Sequence, residues 1–76
     1  MAKLPVLSAL DVVKALAKLD FNVSRQRGSH IVLVRFEKQG KRIVVVPNHR
    51  QIDPGTLLSI ISQADTTKED FLSLIK

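Results

Sequence analysis

Apolar residues recur along this chain with two different periods, and the switches between them mark out its elements. Val12, Val13, Leu16 and Leu19 fall three and four apart, the spacing of one helix face, while Asp11, Lys14 and Lys18 share the opposite face. Ser8 and Asp11 stand ahead of that stripe at capping-box spacing, with Asp in place of the usual Glu. The spacing predicts a helix from about Ala9 to Leu19 that ends at Asp20, where glycine would take a left-handed backbone more easily. The period then drops to two. Phe21 and Val23 alternate with Asn22, Ser24 and Gln26, which predicts a half-buried strand broken at Gly28. A second strand starts at His30 and runs to Phe36. Beyond a loop holding Gly40, the β-branched run Ile43-Val44-Val45-Val46 predicts a third strand closed by Pro47. Helical spacing returns after Asp53, a good N-cap, and Pro54, suited to the first helical position, with Leu57, Leu58, Ile61 and Ala64 as the apolar stripe. Thr66 and Glu69 are spaced to cap a last short helix from near Thr67 that presents Phe71, Leu72 and Ile75.

The order α-β-β-β-α, plus a short C-terminal helix, predicts a two-layer α+β fold: a three-stranded antiparallel sheet with helices on one face. A chain of 76 residues has room for one core, so the expectation is a single domain over residues 1–76. Strand 2 is apolar in both phases. Taking Arg35 as the marker of solvent puts Ile31 and Leu33 on the open face of the sheet. Exposed apolar residues there either mark a partner surface or belong to the ordinary apolar scatter of a protein surface. The three Phe read as core.

Composition narrows the partner class. Twelve Lys and Arg against seven Asp and Glu give a net charge of +5 and a pI near 10.1, which favours an anionic partner, most often nucleic acid. With three Phe, no Tyr and no Trp, base-stacking recognition of single-stranded RNA is poorly supported. The absence of cysteine excludes disulfides and cysteine-based zinc sites. Apolar runs of about four or five residues are far short of a membrane span, and no secretory signal is evident, so the expected location is cytoplasmic. The charge is uneven. Arg25, Arg27, Arg35, Lys38, Lys41, Arg42 and Arg50 face only Glu37 within residues 21–52, a local excess of +6, whereas residues 53–76 are net acidic. Such a run is either a solvated face or a substrate-binding surface.

Two histidines carry the candidate chemistry. No paired acids lie in the basic region, two His without Cys make a poor zinc site, and Gly28, Gly40 and Gly55 are isolated rather than a phosphate-binding loop. No cofactor is implied. His30 directly follows the Gly28-Ser29 turn, downstream of Arg25 and Arg27, and His49 follows Pro47-Asn48. An imidazole exchanges protons near neutral pH, and neighbouring Arg groups hold a phosphate beside it. RNA cleavage needs little else: a base for the 2′-hydroxyl proton, cations for charge on phosphorus and an acid for the leaving 5′-oxygen. Gly28 and Ser29 either shape the turn or, in the case of Ser29, touch phosphate. His49 has either a catalytic or phosphate-binding role or a packing role between strand 3 and helix 2. Arg25, Arg27 and Arg50 are candidate phosphate contacts. Gly55 and Thr56 either offer helix amides to a phosphate or are already capped by Asp53, with the small Gly letting the helix approach the sheet.

Gly28-Ser29-His30, then Val45-Val46-Pro47-Asn48-His49, then Pro54-Gly55-Thr56-Leu57 with Ile60 and Gln63-Ala64 resemble the HicA (YcfA-like) toxin family. Leu4-Pro5-Val6-Leu7-Ser8, Leu19-Asp20-Phe21 and Arg25-Gln26-Arg27 agree, so the likeness runs from about Leu4 to Phe71. It departs at Ala9 and Asp20, where many members have Gly. The resemblance implies a fold similar to double-stranded-RNA-binding domains and a ribosome-independent mRNA endonuclease; the absent cysteine and scarce carboxylates favour proton transfer by imidazole without metal. The resemblance also implies a HicB-type antitoxin that masks the active site, and His30 as the catalytic residue. A non-catalytic double-stranded-RNA-binding module is the alternative, needing Lys and Arg but no positioned His. A third reading is a protein-binding domain using the open face of the sheet.

Overall fold

The first helix opens and closes on side chains and carbonyls that its sequence supplies. In the computed structural model, which describes residues 4–75, α1 spans Ala9–Ala17; Lys3 and Lys76, counted in the charge above, lie outside the described residues. The Ser8 hydroxyl accepts from the Asp11 amide at 3.1 Å, and the Ser8 amide donates to the Asp11 carboxylate at 3.1 Å, completing the capping box. Beyond the helix, Asp20 N–H donates to Ala17 O and Phe21 N–H to Leu16 O, the paired bonds of a Schellman ending. That ending places Asp20 at φ 70 in the left-handed region.

Three strands follow: β1 (Asn22–Arg27), β2 (His30–Glu37) and β3 (Gly40–Pro47), antiparallel in the order β1-β2-β3. Then come α2 (Pro54–Gln63), capped by Asp53, and α3 (Lys68–Ser73). The fold is the two-layer α+β arrangement expected, with the helices packed on one sheet face. Its core joins Val12 and Leu16 of α1, Leu33, Val44 and Val46 of the sheet, Leu57, Ile60 and Ile61 of α2, and Phe21 and Phe71. Leu7 bridges to Ile52 and closes the core at one end.

Several local expectations are overturned. β1 is exposed along its whole length, with a bulge between Val23 and Arg25, and the buried Phe21 lies just before it. β2 has the opposite phase to the one read from Arg35. Leu33 is fully buried and Ile31 packs against the core, so Arg35 shares their helix-facing side. Arg35 manages this by snorkelling: its guanidinium stacks 4.6 Å from the Phe21 ring centre, donates to Leu19 O at 3.0 Å and pairs with Glu37. The open face therefore carries Val32, Val34 and Phe36, and Phe36 is 83% exposed rather than core. In α2, Leu58 faces solvent and Ile60 takes the buried place. Thr67, not Thr66, caps α3, accepting from the Asp70 amide at 3.1 Å.

Candidate functional site

Gly28 and Ser29 form the two-residue turn between β1 and β2, with Arg27 and His30 as the closing pair of the ladder. Gly28 sits at φ +54, where L side chains are strained, so glycine at the first turn position is a backbone requirement. His30 is the first residue of the central strand, paired with Arg27 on one side and Pro47 on the other. Directly paired residues share a sheet face with Cβ atoms roughly 5 Å apart. The register thus puts Arg27 and His30 side by side on the open face, with Arg25 one pair further along opposite Val32.

The turn is fastened to the loop that follows β3. Asn48 N–H donates to Ser29 O at 2.6 Å, and His49 N–H donates to Pro47 O at 2.8 Å. On its other side the loop receives Ala9 N–H at His49 O, 2.9 Å, and sends Ile52 N–H to Leu7 O, 2.7 Å. The Gly28-Ser29-His30 turn, the Asn48-His49-Arg50 loop and the start of α1 are therefore one backbone-bonded unit at one end of the sheet. It gathers Arg27, Gly28, Ser29, His30, His49 and Arg50, with Arg25 a little way along β1.

Among the described residues, no hydrogen bond or ion pair engages the side chains of Arg25, Arg27, His30, His49 or Arg50. All five are exposed, which removes the packing role weighed for His49. Nearby carboxylates are occupied. Asp53 accepts the Thr56 hydroxyl at 2.7 Å and the Thr56 amide at 3.1 Å, and these bonds hold its carboxyl below the usual range. The start of α2 is thus capped from within. Gly55 does not serve close approach to the sheet: an added Cβ would meet the Asp53 carboxylate at 3.4 Å. Glu37 lies at the far end of β2, its carboxyl lowered by hydrogen bonds from Arg42 and then Arg35. No group of three or more His, Cys, Asp or Glu side chains comes together among the described residues.

The residues singled out in the sequence are brought together. What the sequence left unseen is the clamp, the amides of Asn48 and Ala9, because every residue but proline carries that donor. No helix among the described residues is long and apolar enough to cross a membrane. Compared with known proteins, residues 10–66 match the family model described as the HicA toxin of bacterial toxin-antitoxin, a span that holds all seven site residues. No curated protein matches the chain.

Proposed function

The chain belongs to the HicA toxin family of bacterial toxin-antitoxin systems, and from that premise we propose that it is an endoribonuclease that cleaves mRNA through His30. One observation carries the reading: an exposed imidazole without a side-chain partner stands beside an unpaired Arg27, on a turn tied by its backbone to a second histidine loop. A merely structural histidine is usually buried and hydrogen-bonded; a proton-transfer group has to be reachable.

In this reading Arg25, Arg27 and Arg50 hold the scissile phosphate, and the turn at Gly28 and Ser29 sets His30 against it. His30 takes the 2′-hydroxyl proton, the 2′-oxygen attacks phosphorus, and the bond to the 5′-oxygen breaks. The arginines stabilise the charge that accumulates on the non-bridging oxygens. His49 returns a proton to the leaving 5′-oxygen. The products are a 2′,3′-cyclic phosphate and a 5′-hydroxyl end. The cleavage is metal-independent: the one carboxylate of residues 21–52, Glu37, is at the other end of β2 and held by two arginines. The partners are mRNA and a HicB-type antitoxin, both met in the cytoplasm.

The test is inducible expression of the wild type beside His30→Ala, with purified protein assayed on RNA in EDTA. Wild-type protein is expected to arrest growth and leave cyclic-phosphate ends, and His30→Ala to lose about 10²–10⁴-fold in rate. His49→Ala should recover on a substrate with a good leaving group, which needs no acid. Intact RNA with folded wild-type protein would overturn the nuclease, and salt-sensitive binding alone would leave a double-stranded-RNA-binding module. Cleavage retained by His30→Ala would remove the residue assignment, and cleavage lost in EDTA the metal-free mechanism.

A further inference from the structure

On the open face of the sheet, one place is vacant beside an exposed aromatic ring. By register, Val34 stands between Asn22 of β1 and Ile43 of β3, whereas Phe36 has a neighbour only on the β3 side, Lys41. The position that would pair with Phe36 on β1 falls at Asp20, in the left-handed turn that ends α1. The edge strand thus stops where the central strand continues, and the Phe36 ring is 83% exposed. The bulge between Val23 and Arg25 takes Ser24 out of the ladder. What results is a shallow hollow lined by Val23, Val34 and Phe36 together with the polar Asn22, Ser24 and Lys41. Among the described residues, no hydrogen bond or ion pair engages those three polar side chains. No carboxylate is among the lining residues.

We propose that this hollow is a nucleobase subsite: one unpaired base of a single-stranded RNA stacks on the Phe36 ring, and Asn22, Ser24 and Lys41 hydrogen-bond its edge. The proposal rests on the nuclease reading above, whose substrate it narrows to unpaired RNA. A base supplies both parts of the match, a π-face for the ring and donors and acceptors at its edge. An apolar protein side chain would cover the ring but leave the amide, hydroxyl and ammonium without partners. A base inside a duplex keeps its faces stacked and does not reach the ring. His30 and Phe36 lie on the same face of β2, six residues apart, so about 20 Å at about 3.3 Å per residue separates them, the reach of a few nucleotides of extended strand. Arg25 and Arg27 border that path on β1. The ionic grip stays at the His30 end, while stacking on Phe36 adds affinity with no ionic contact. A single exposed ring serves a single base, so a chain poor in aromatics is equipped for it.

The test uses an octauridine with every 2′-hydroxyl methylated, which lacks the attacking group and is therefore bound without being cut. In NMR of the wild type, the Phe36 ring protons are expected to move upfield with this oligomer and to stay in place with a duplex of equal length. Phe36→Thr keeps strand propensity at an exposed position, so its melting temperature should stay near that of wild type. It should weaken binding about 5–150-fold, the worth of one stacked base, with the salt slope unchanged, and Phe36→Tyr should retain the wild-type affinity. A ribose-phosphate oligomer of the same length without bases should bind wild type and Phe36→Thr alike. The proposal is overturned by equal affinity of wild type and Phe36→Thr for octauridine, which would leave Phe36 to a protein partner. An equal loss with the oligomer that has no bases, ring shifts caused by the duplex, or no binding of octauridine by wild type would also overturn it. Because the ring shifts are read on wild type, a variant that failed to fold would not hide the answer. Cleavage is read separately on unmodified RNA: its absence would defeat the nuclease reading and leave the base subsite legible.

Discussion

Gly28 and Asp20 both hold left-handed backbone, at φ +54 and φ 70, and they respond to opposite substitutions. A Cβ at Gly28 meets nothing within 4 Å, so Gly28→Ala costs only backbone strain, about 1 kcal/mol. In a domain of this size that lowers the melting temperature by about 4–8 °C. Relaxation of the turn should also lower RNA cleavage, because His30 is the next residue but one. Asp20→Gly removes strain at the close of α1 and should raise stability by about 0.5 kcal/mol, part of the gain being lost to the more flexible unfolded chain. Urea unfolding of the two variants checks both signs; a destabilised Asp20→Gly would mean that the Asp20 side chain contributes more than its backbone strain costs. Left-handed positions restrict residue type, and for that reason these two were legible in the sequence. Asp65 was not. It ends α2 in the same way, at φ 56 with Thr66 N–H on Ile61 O, but an Asp in a polar stretch carries no mark of it.

At the scale of elements, the type and order of all six were readable because each has its own apolar period, while phase and caps were harder. β2 is apolar on both faces, so the pattern alone does not choose between them. Arg35 pointed the wrong way because its long stem lets a charge end at the rim of the helix-facing side, stacked on Phe21. The same slip exchanged Leu33 for Phe36 as surface, since a strand has a side-chain period of two. For α3, two threonines compete as caps, and geometry selects the second. Thr67→Ala should cost about 1 kcal/mol and Thr66→Ala only a few tenths, by urea unfolding; equal losses would mean the helix start is shared. The α2 cap has a pH signature. Bonds from Thr56 lower the Asp53 pKa in the folded chain, so its stabilisation is complete above the unfolded value of about 3.9 and is lost as pH falls through the folded value. Asp53→Asn keeps a capping oxygen but does not titrate. Below about pH 4 the variant should therefore lose less stability per pH unit than wild type, as thermal melts from pH 2 to 7 would show.

Over the whole molecule, the excess charge of residues 21–52 divides into parts with different tasks. Arg35 and Arg42 are committed to structure: Glu37 bridges them, Arg42 reaches Gln63 O and lies 3.9 Å from Asp65, and Arg35 ties Leu19 to the sheet. Lys38 and the exposed Lys41 stand at the β2–β3 hairpin, while Arg25, Arg27 and Arg50 stand toward His30 at the other end. An eight-residue strand at about 3.3 Å per residue separates the two ends by roughly 23 Å. A sequence sum cannot show this division, because it counts a stacked arginine and a free one alike. Salt dependence can. Each phosphate contact contributes about 0.7 to the slope of log binding constant against log salt for single-stranded nucleic acid. Arg27→Ala should weaken RNA binding and flatten that slope by about 0.7, with unfolding unchanged. Lys38→Ala should leave the slope as it is, placing the substrate at the His30 end. Arg35→Ala should do the reverse of Arg27→Ala, lowering stability through the lost Phe21 stacking and Leu19 bond while the slope stays at its wild-type value. A slope flattened equally by Arg27→Ala and Arg35→Ala would mean that RNA binds the helix-facing rim as well, and the division of charge by task would be wrong.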